Sequence, residues 1–128
     1  MKKSKILVVD DNSKIQYAFQ SFLEKEGYIS IPAREGNNVL GIIAREKPTL
    51  VFLDISLPDQ NGLDILKQIR KEWPSLPVII ITGHTNDENR KRAKALGAID
   101  FIPKDGFTNA VLLETLRQLH ILTEDPSP

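Results

Sequence analysis

The sequence predicts an α/β fold in which an open, doubly wound parallel sheet of five strands is flanked by five helices. Short apolar runs alternate five times with segments of helical period along the chain, a pattern typical of parallel sheets. Three of these runs, at 6–9, 50–53 and 78–81, are apolar at every position, as expected for strands that helices cover on both faces. These three runs are therefore predicted to be the central strands.

The other two runs are predicted to be the edge strands. The run at 28–32 alternates in polarity and ends in Pro32, and proline is tolerated at a sheet edge. The run at 99–102 contains Asp100, and a charge inside a strand also favours an edge. With right-handed crossovers, the predicted strand order is 2-1-3-4-5, the order of flavodoxin-like sheets.

The helical segments have recognisable ends. The first is predicted to end at Gly27, the second before Pro48 and the third before Pro74. The fourth, from about Asp87 to Leu96, has few apolar positions, so we expect it to be the least firmly docked helix. The fifth is marked by apolar residues at 111, 112, 116 and 119.

Length and composition indicate a single cytoplasmic domain. The 128 residues suit one domain, which we place at 1–122, with 123–128 as a linker or frayed tail. Seventeen basic and seventeen acidic residues balance, so no contact with nucleic acid is expected. Cysteine is absent, which favours the cytosol, and no apolar run is long enough for a signal peptide or a membrane span.

Polar side chains follow four of the predicted strands. Asp10 and Asp11 follow the first, Asp54 the third, Thr82 the fourth and Lys104 the fifth. Because the carboxyl ends of parallel strands meet at one edge of a sheet, where open α/β folds bind ligands, we expect these groups to lie together. Three carboxylates, a hydroxyl and an ammonium suit an oxygen-liganded cation and a phosphoryl group.

The chemistry of each group has an ordinary alternative. Adjacent carboxylates such as Asp10 and Asp11 repel unless a cation neutralises them, and Mg²⁺ favours such oxygen ligands; one of the two could instead only cap the first helix. Asp54 could act as a covalent nucleophile toward phosphorus or be a plain loop aspartate. Thr82 could only begin a turn, and Lys104 could be a solvated surface lysine.

Together these motifs resemble the receiver domain of two-component response regulators. The resemblance covers roughly residues 3–120 and rests on ordered, correctly separated motifs. They are Val8-Val9-Asp10-Asp11-Asn12, Asp54 with Pro58 and Gly62, Thr82-Gly83, and the segment 97–104 that ends in Lys104.

The resemblance implies a role for each site residue. Asp54 would be the phosphoacceptor, and Mg²⁺ would be held by Asp10, Asp11, Asp54 and the backbone carbonyl of Ser56. Thr82 and Lys104 would contact the phosphoryl oxygens.

Four positions would govern switching and its duration. Phe101 would be the switch aromatic that turns inward when Thr82 moves. Ser56 and His84 stand at the variable positions that tune phosphoryl lifetime in the family. The implied protein is a signalling switch whose only chemistry is self-catalysed transfer to an aspartate and slow hydrolysis.

The resemblance also implies partners. A histidine kinase or phosphotransfer protein would donate the phosphoryl group. An output domain or protein would read the surface of helix 4, strand 5 and helix 5, and a phosphorylation-dependent dimer is allowed. The chain would be a stand-alone receiver or the N-terminal receiver of a longer regulator, acting without direct contact to a membrane.

Two rival functions and one departure from the family pattern stay open at this point. An aspartyl-phosphate phosphatase would carry an acid/base aspartate two residues after Asp54, where Ser56 stands. A flavodoxin-like cofactor binder would carry a hydroxyl- and glycine-rich loop after strand one, where Asp10 and Asp11 stand. Receivers usually place proline after the lysine at 104, often with a cis bond, whereas this chain has Asp105.

Overall fold

The computed structural model describes residues 4–83, 87–104 and 108–123, with side chains as far as Leu119. The strands are β1 (Lys5–Val9), β2 (Ile29–Ala33), β3 (Leu50–Asp54), β4 (Val78–Thr82) and β5 (Asp100–Pro103). The helices are α1 (Ser13–Lys25), α2 (Val39–Glu46), α3 (Gly62–Glu72), α4 (Asp87–Ala95) and α5 (Asn109–Thr123), and a 3₁₀ turn (Gly36–Asn38) precedes α2.

The five strands form one parallel sheet in the order β2-β1-β3-β4-β5. This confirms the predicted fold, the two edge strands and the strand order. The central strands β3 and β4 are buried at every position, as their uniformly apolar sequences predict. The predicted bounds of the edge strands differ from the observed ones by about one residue.

Helices cover both faces of the sheet. Helices α1 and α5 pack on the face formed by alternate strand residues such as Val8, Phe52 and Ile81. Helices α2, α3 and α4 pack on the opposite face, which Val9, Leu53 and Ile80 help to form. This alternation follows from the two-residue period of a strand.

The helix ends have local causes. The side chain of Asn12 accepts hydrogen bonds from the amides of Lys14 and Ile15, so Asn12 is the N-cap of α1. Gly27 follows α1 with a φ of +92°, a conformation that glycine adopts without strain. Lys47 ends α2 in the left-handed region at φ 52°, and Pro48 after it cannot continue a helix.

Helix α4 is the exception to firm docking. The structure describes all of its residues, and Ala93 alone is buried among them. The proposed end of the domain at 122 stays a prediction, because α5 reaches Thr123 and residues 124–128 lie outside the described residues.

Candidate functional site

Three carboxylates meet at the carboxyl edge of the sheet. Asp10 follows β1 and Asp54 ends β3, and these neighbouring strands pair with Val9 opposite Leu53. Asp10 is 0% and Asp54 1% exposed, whereas Asp11 is open to solvent. One carboxylate oxygen from each of the three lies within 4.8 Å of the others. The parallel register therefore assembles the acidic cluster that the sequence predicted.

The aspartates after β1 do not cap α1. That role belongs to Asn12, whose backbone amide also donates to Asp10 Oδ1 over 2.9 Å. The Asn12 side chain thus satisfies the helix amides, and the carboxylates of Asp10 and Asp11 are left to the site. The alternative that one of them serves only as a helix cap is wrong.

Lys104 supplies the positive charge of the site. Its Nζ lies 2.8 Å from Asp10 Oδ2 and 3.1 Å from Asp54 Oδ2, so it is not a solvated surface lysine. Burial acts to lower the pKa of Lys104, but the two carboxylates outweigh burial and raise it. The ammonium therefore stays charged between two nearly fully buried anions.

Burial also changes the acidity of Asp54. Loss of solvent raises the pKa of Asp54, and the charge of Asp10 adds to this effect. The amide of Ser56, which donates to Asp54 Oδ1 over 3.1 Å, and the ammonium of Lys104 act in the opposite direction. Desolvation and direct partners therefore act on the pKa of Asp54 in opposite directions, and such perturbed carboxylates are common at functional sites.

The donor set fits a hard divalent cation. The three aspartates offer only oxygen ligands, which Mg²⁺ and Ca²⁺ prefer. Asp10 Oδ2 is buried and receives no well-aligned hydrogen bond from the described residues, although Lys104 Nζ is near it. A buried anionic oxygen with remaining lone pairs can ligate a cation, and the cluster can therefore bind a metal.

Thr82 and Phe101 lie on one face of the sheet. In the register of β4 and β5, Ile80 is opposite Phe101 and Thr82 is opposite Pro103. Ile80 and Phe101 belong to the same core cluster, and Thr82, two residues after Ile80, lies on the same face. Phe101 is 9% exposed, and the guanidinium carbon of Arg90 lies 5.1 Å from the centroid of its ring.

The structure thus brings together Asp10, Asp11, Asp54 and Lys104 by direct distances, with Ser56 beside Asp54. Thr82 is placed at the same edge by its position at the end of β4. His84 and the bond between Lys104 and Asp105 lie outside the described residues, so the roles expected of them stay predictions.

Two supporting side chains were missed by sequence reasoning. Gln16 Nε2 donates to the backbone carbonyls of Val8, Asp10 and Ala33, which ties α1 to the ends of β1 and β2. Asp59 accepts hydrogen bonds from two backbone amides of the 3₁₀ turn. Both make contacts to backbone between segments distant in sequence, and no local pattern of residues signals such contacts.

Comparisons with known proteins agree with this geometry. The family model described as "Response regulator receiver domain" matches residues 6–117. The chain is 40% identical over 119 residues to the nitrogen assimilation regulatory protein NtrX of Azorhizobium caulinodans, which covers 91% of this chain and 26% of that protein. The chain therefore belongs to the response regulator receiver domain family, a signalling family of two-component systems.

Solved structures show the same fold. The receiver domain protein of Methanospirillum hungatei, described as CheY-like, superposes with a TM-score of 0.86 at 32% identity and covers 91% of this chain and 93% of that one. The BeF₃-activated N-terminal receiver domain of Klebsiella pneumoniae RstA gives a TM-score of 0.84 at 33% identity, with coverages of 90% and 97%. The chain spans about a quarter of the length of the curated relatives it matches. No helix in the described part of the chain has the length and apolar character needed to cross a membrane.

Proposed function

We propose that this receiver is a Mg²⁺-dependent phosphorylation switch. In this proposal, Asp54 accepts a phosphoryl group from a histidine kinase or a phosphotransfer protein. The observation that carries the proposal is the placement of Asp54. It is buried at the end of β3, 3.1 Å from the ammonium of Lys104 and within 4.8 Å of two further carboxylates.

The residues of the site suit in-line phosphoryl transfer. A carboxylate oxygen of Asp54 attacks phosphorus, and the P–N bond to the donor imidazole breaks. The electron pair of that bond stays on the imidazole nitrogen, which takes a proton from solvent, and the product is an acyl phosphate. Lys104 offsets charge on the transferred oxygens, and Thr82 donates a hydrogen bond to one of them.

The acidic cluster is the proposed binding site for the Mg²⁺ cofactor. Asp10, Asp11, Asp54 and the backbone carbonyl of Ser56 would hold Mg²⁺, which would supply further positive charge to the phosphoryl oxygens. Ser56 and His84 are proposed to tune the lifetime of the acyl phosphate. Hydrolysis by water then returns the carboxylate of Asp54 to its starting state.

The proposed output is a change in the surface of α4, β5 and α5. Thr82 and Lys104 move toward the new phosphoryl oxygens because charge-assisted hydrogen bonds are stronger than neutral ones. Phe101 shares the sheet face of Thr82 and touches α4 through Arg90. A shallow groove of about 220 Å³ between α4 and β5 is lined by Arg90, Lys94 and Asp100 among others. Arg90, Lys91 and Lys94 are candidate contacts for an output domain or protein.

The relatives support a regulatory setting. The relatives of this chain include DNA-binding transcriptional regulators. We propose that this receiver acts in the cytoplasm and controls an output of that kind. In this proposal, phosphorylation also favours a dimer of the receiver. An aspartyl-phosphate phosphatase is disfavoured because Ser56 stands where that class needs a carboxylic acid. Helix α1 follows two carboxylates rather than a hydroxyl-rich loop, and these carboxylates would repel the phosphate of a flavin cofactor.

Mass spectrometry after incubation with acetyl phosphate and Mg²⁺ tests the proposal. The wild type is expected to gain the mass of one phosphoryl group, and excess chelator should prevent the gain. Asp54→Asn should abolish labelling, and Asp64→Asn, which removes an exposed carboxylate in the first turn of α3, should leave it intact. Undiminished labelling of Asp54→Asn would refute the assignment.

A further inference from the structure

The loop between β3 and α3 starts at the acceptor and closes on itself. The amide of Ser56 donates to Asp54 Oδ1 over 3.1 Å. Ser56 also pairs with Asn61 in an isolated antiparallel bridge, and the amide of Gly62 donates to the carbonyl of Ile55 over 2.8 Å. The base of the loop is therefore tied to the phosphoacceptor, and a movement of the loop would move the Ser56 amide.

The far end of this loop is fixed to a different part of the chain. Asp59 Oδ1 accepts from the amide of Gly36 over 2.8 Å, and Asp59 Oδ2 accepts from the amide of Asn37 over 2.9 Å. Both amides belong to the 3₁₀ turn between β2 and α2. The hydrogen bond from the amide of Gly36 is the main cause that lowers the pKa of the Asp59 carboxyl. The amide of Asn37 also lowers this pKa, whereas burial acts to raise it. The carboxylate is therefore charged at neutral pH.

The 3₁₀ turn is shaped to admit the loop. Gly36 is buried, and a Cβ atom there would lie 2.5 Å from Ile65 Cδ1, 3.2 Å from Gln60 Cβ and 3.4 Å from Asp59 Oδ1. A side chain at position 36 would therefore require the Ile65 side chain, the loop or the turn itself to shift. Asp59 itself is exposed to solvent, but the turn whose amides it accepts from packs closely on the loop and on α3.

We infer that Asp59 is a positioning residue for the phosphoacceptor site. Its two charge-assisted hydrogen bonds hold the tip of the β3–α3 loop against the 3₁₀ turn, and the loop in turn holds the Ser56 backbone against Asp54. Small displacements of supporting groups reduce activity strongly, since catalytic groups must be held to within about 0.5 Å. The inference rests on the proposed function of Asp54. An alternative role for Asp59 is to stabilise the 3₁₀ turn alone.

Asp59→Asn tests this role with little change in shape. Asparagine keeps one oxygen, but its NH₂ group faces a backbone amide, so one of the two hydrogen bonds is lost. Asp64→Asn is the matched control because it removes one exposed negative charge from the first turn of α3, directly after the loop that contains Asp59. The measurements are the labelling rate with acetyl phosphate, the affinity for beryllofluoride with Mg²⁺, and the amide resonance of Ser56, all at a temperature where each variant is fully folded.

The expected result is local to the acceptor. Asp59→Asn should slow labelling and weaken beryllofluoride binding by roughly 3- to 10-fold, the effect of losing one hydrogen bond of modest net strength. The Ser56 amide resonance should shift before any ligand is added. Asp64→Asn should match the wild type in all three measurements.

A second variant approaches the junction from its other side. Gly36→Ala places a Cβ atom 2.5 Å from Ile65 Cδ1 and 3.2 Å from Gln60 Cβ. We expect the crowded 3₁₀ turn to shift away from the loop, which should produce the same defects as Asp59→Asn. The double variant should be no worse than the poorer single variant, because two changes that break one contact are not additive.

The outcomes separate this inference from the proposed function. Wild-type labelling, beryllofluoride affinity and Ser56 resonance in Asp59→Asn would overturn the inference and leave Asp59 as a support of the 3₁₀ turn. A wild-type protein that takes up no phosphoryl group would refute the proposed function instead. The Ser56 resonance of the unliganded variants would then still decide whether Asp59 positions the backbone at Asp54.

Discussion

Helices α3 and α4 follow neighbouring central strands, yet they are held to the sheet in different ways. Helix α3 is capped by the side chain of Asn61 and buries five residues, which are Gly62, Leu63, Ile65, Leu66 and Ile69. Helix α4 buries Ala93 alone, and Arg90 adds a contact with the Phe101 ring. Helix α3 is therefore part of the core, whereas α4 packs against the core through few apolar contacts.

This difference assigns separate tasks to the two helices. Helix α3 begins beside Asp54 and keeps this proposed phosphoacceptor and its loop in place. Helix α4 follows β4, the strand that ends in Thr82. One face of β4 packs in the same core cluster as Phe101. Elements with few buried apolar contacts open and move at the lowest free energy. A change at Asp54 is therefore expected to move α4 and leave α3 where it is.

A large loss of stability is expected from Gly62→Ala at the start of α3. A Cβ atom there would overlap the carbonyl oxygen of Asp54 and lie 2.7 Å from Ile55 Cα. Because backbone atoms cannot yield easily, we expect a loss of about 2–4 kcal/mol in the free energy of unfolding. Urea denaturation measures it.

Gly41→Ala in α2 is the matched control. A Cβ atom at Gly41 meets nothing within 4 Å, and alanine favours a helix over glycine by about 0.5–1 kcal/mol. This variant should equal or exceed the wild type in stability. Equal stability of the two alanine variants would mean that α3 is not fixed by close approach to Asp54.

The second prediction compares the two helices through leucine truncation. Leu66 is fully buried in α3, whereas Leu96, just after α4, is only half-buried. Leu66→Ala should lower the free energy of unfolding by about 2–5 kcal/mol, and Leu96→Ala by about 1 kcal/mol. Similar losses for the two variants would contradict the view that α4 is weakly docked.

The fold could be predicted from sequence because its signals are local and repeated. The uniformly apolar runs of β3 and β4 distinguish central strands from the alternating run of β2, and the parallel order then places Asp10 and Asp54 side by side. The acidic cluster and the contact of Lys104 with it follow from that placement.

Other features had no local signal. Nothing near Asp59 indicates that its carboxylate reaches amides at positions 36 and 37. Arg70 likewise donates to the backbone carbonyls of Trp73, Pro74, Leu76 and Gly97. Such contacts depend on how loops approach each other after the sheet has formed, and a polar residue in a loop has many possible partners.

The third prediction concerns the charge of Asp54 at the end of β3. Burial and Asp10 raise the pKa of Asp54 in the folded protein, against the pull of Ser56 and Lys104. As pH rises from the ordinary aspartate pKa of about 3.9 toward the raised value, the unfolded chain loses its proton first, so stability falls. In metal-free buffer, Asp54→Asn should therefore be more stable than the wild type at neutral pH.

The gain should be absent in acid. Below the ordinary pKa of aspartate, both states of the wild type are protonated at this position, and the two proteins should be equally stable apart from other effects of the amide. Denaturation curves at several pH values measure the difference. An Asp54→Asn variant less stable than the wild type at neutral pH would show that the contact with Lys104 outweighs desolvation.

The smallest predicted effect is that of Arg90. Its cation–π contact with Phe101 is worth about 0.5–1 kcal/mol at an exposed site. Arg90→Met keeps an apolar side chain and removes the charge, so amide exchange of α4 should quicken severalfold in the unphosphorylated protein. Arg92→Met is the control because Arg92 is exposed in the same helix. Equal exchange rates in the two variants would exclude Arg90 as a support of α4.

The most direct test of the division between α3 and α4 is amide hydrogen exchange with and without beryllofluoride and Mg²⁺. The mimic should change exchange in Asp87–Ala95 and Asp100–Pro103, while Gly62–Glu72 stays as protected as before. Changes confined to residues 10–12 and 54–57, with exchange in α4 and β5 unchanged, would contradict the proposed movement of α4. A change in α3 as large as that in α4 would equally contradict the division between the two helices.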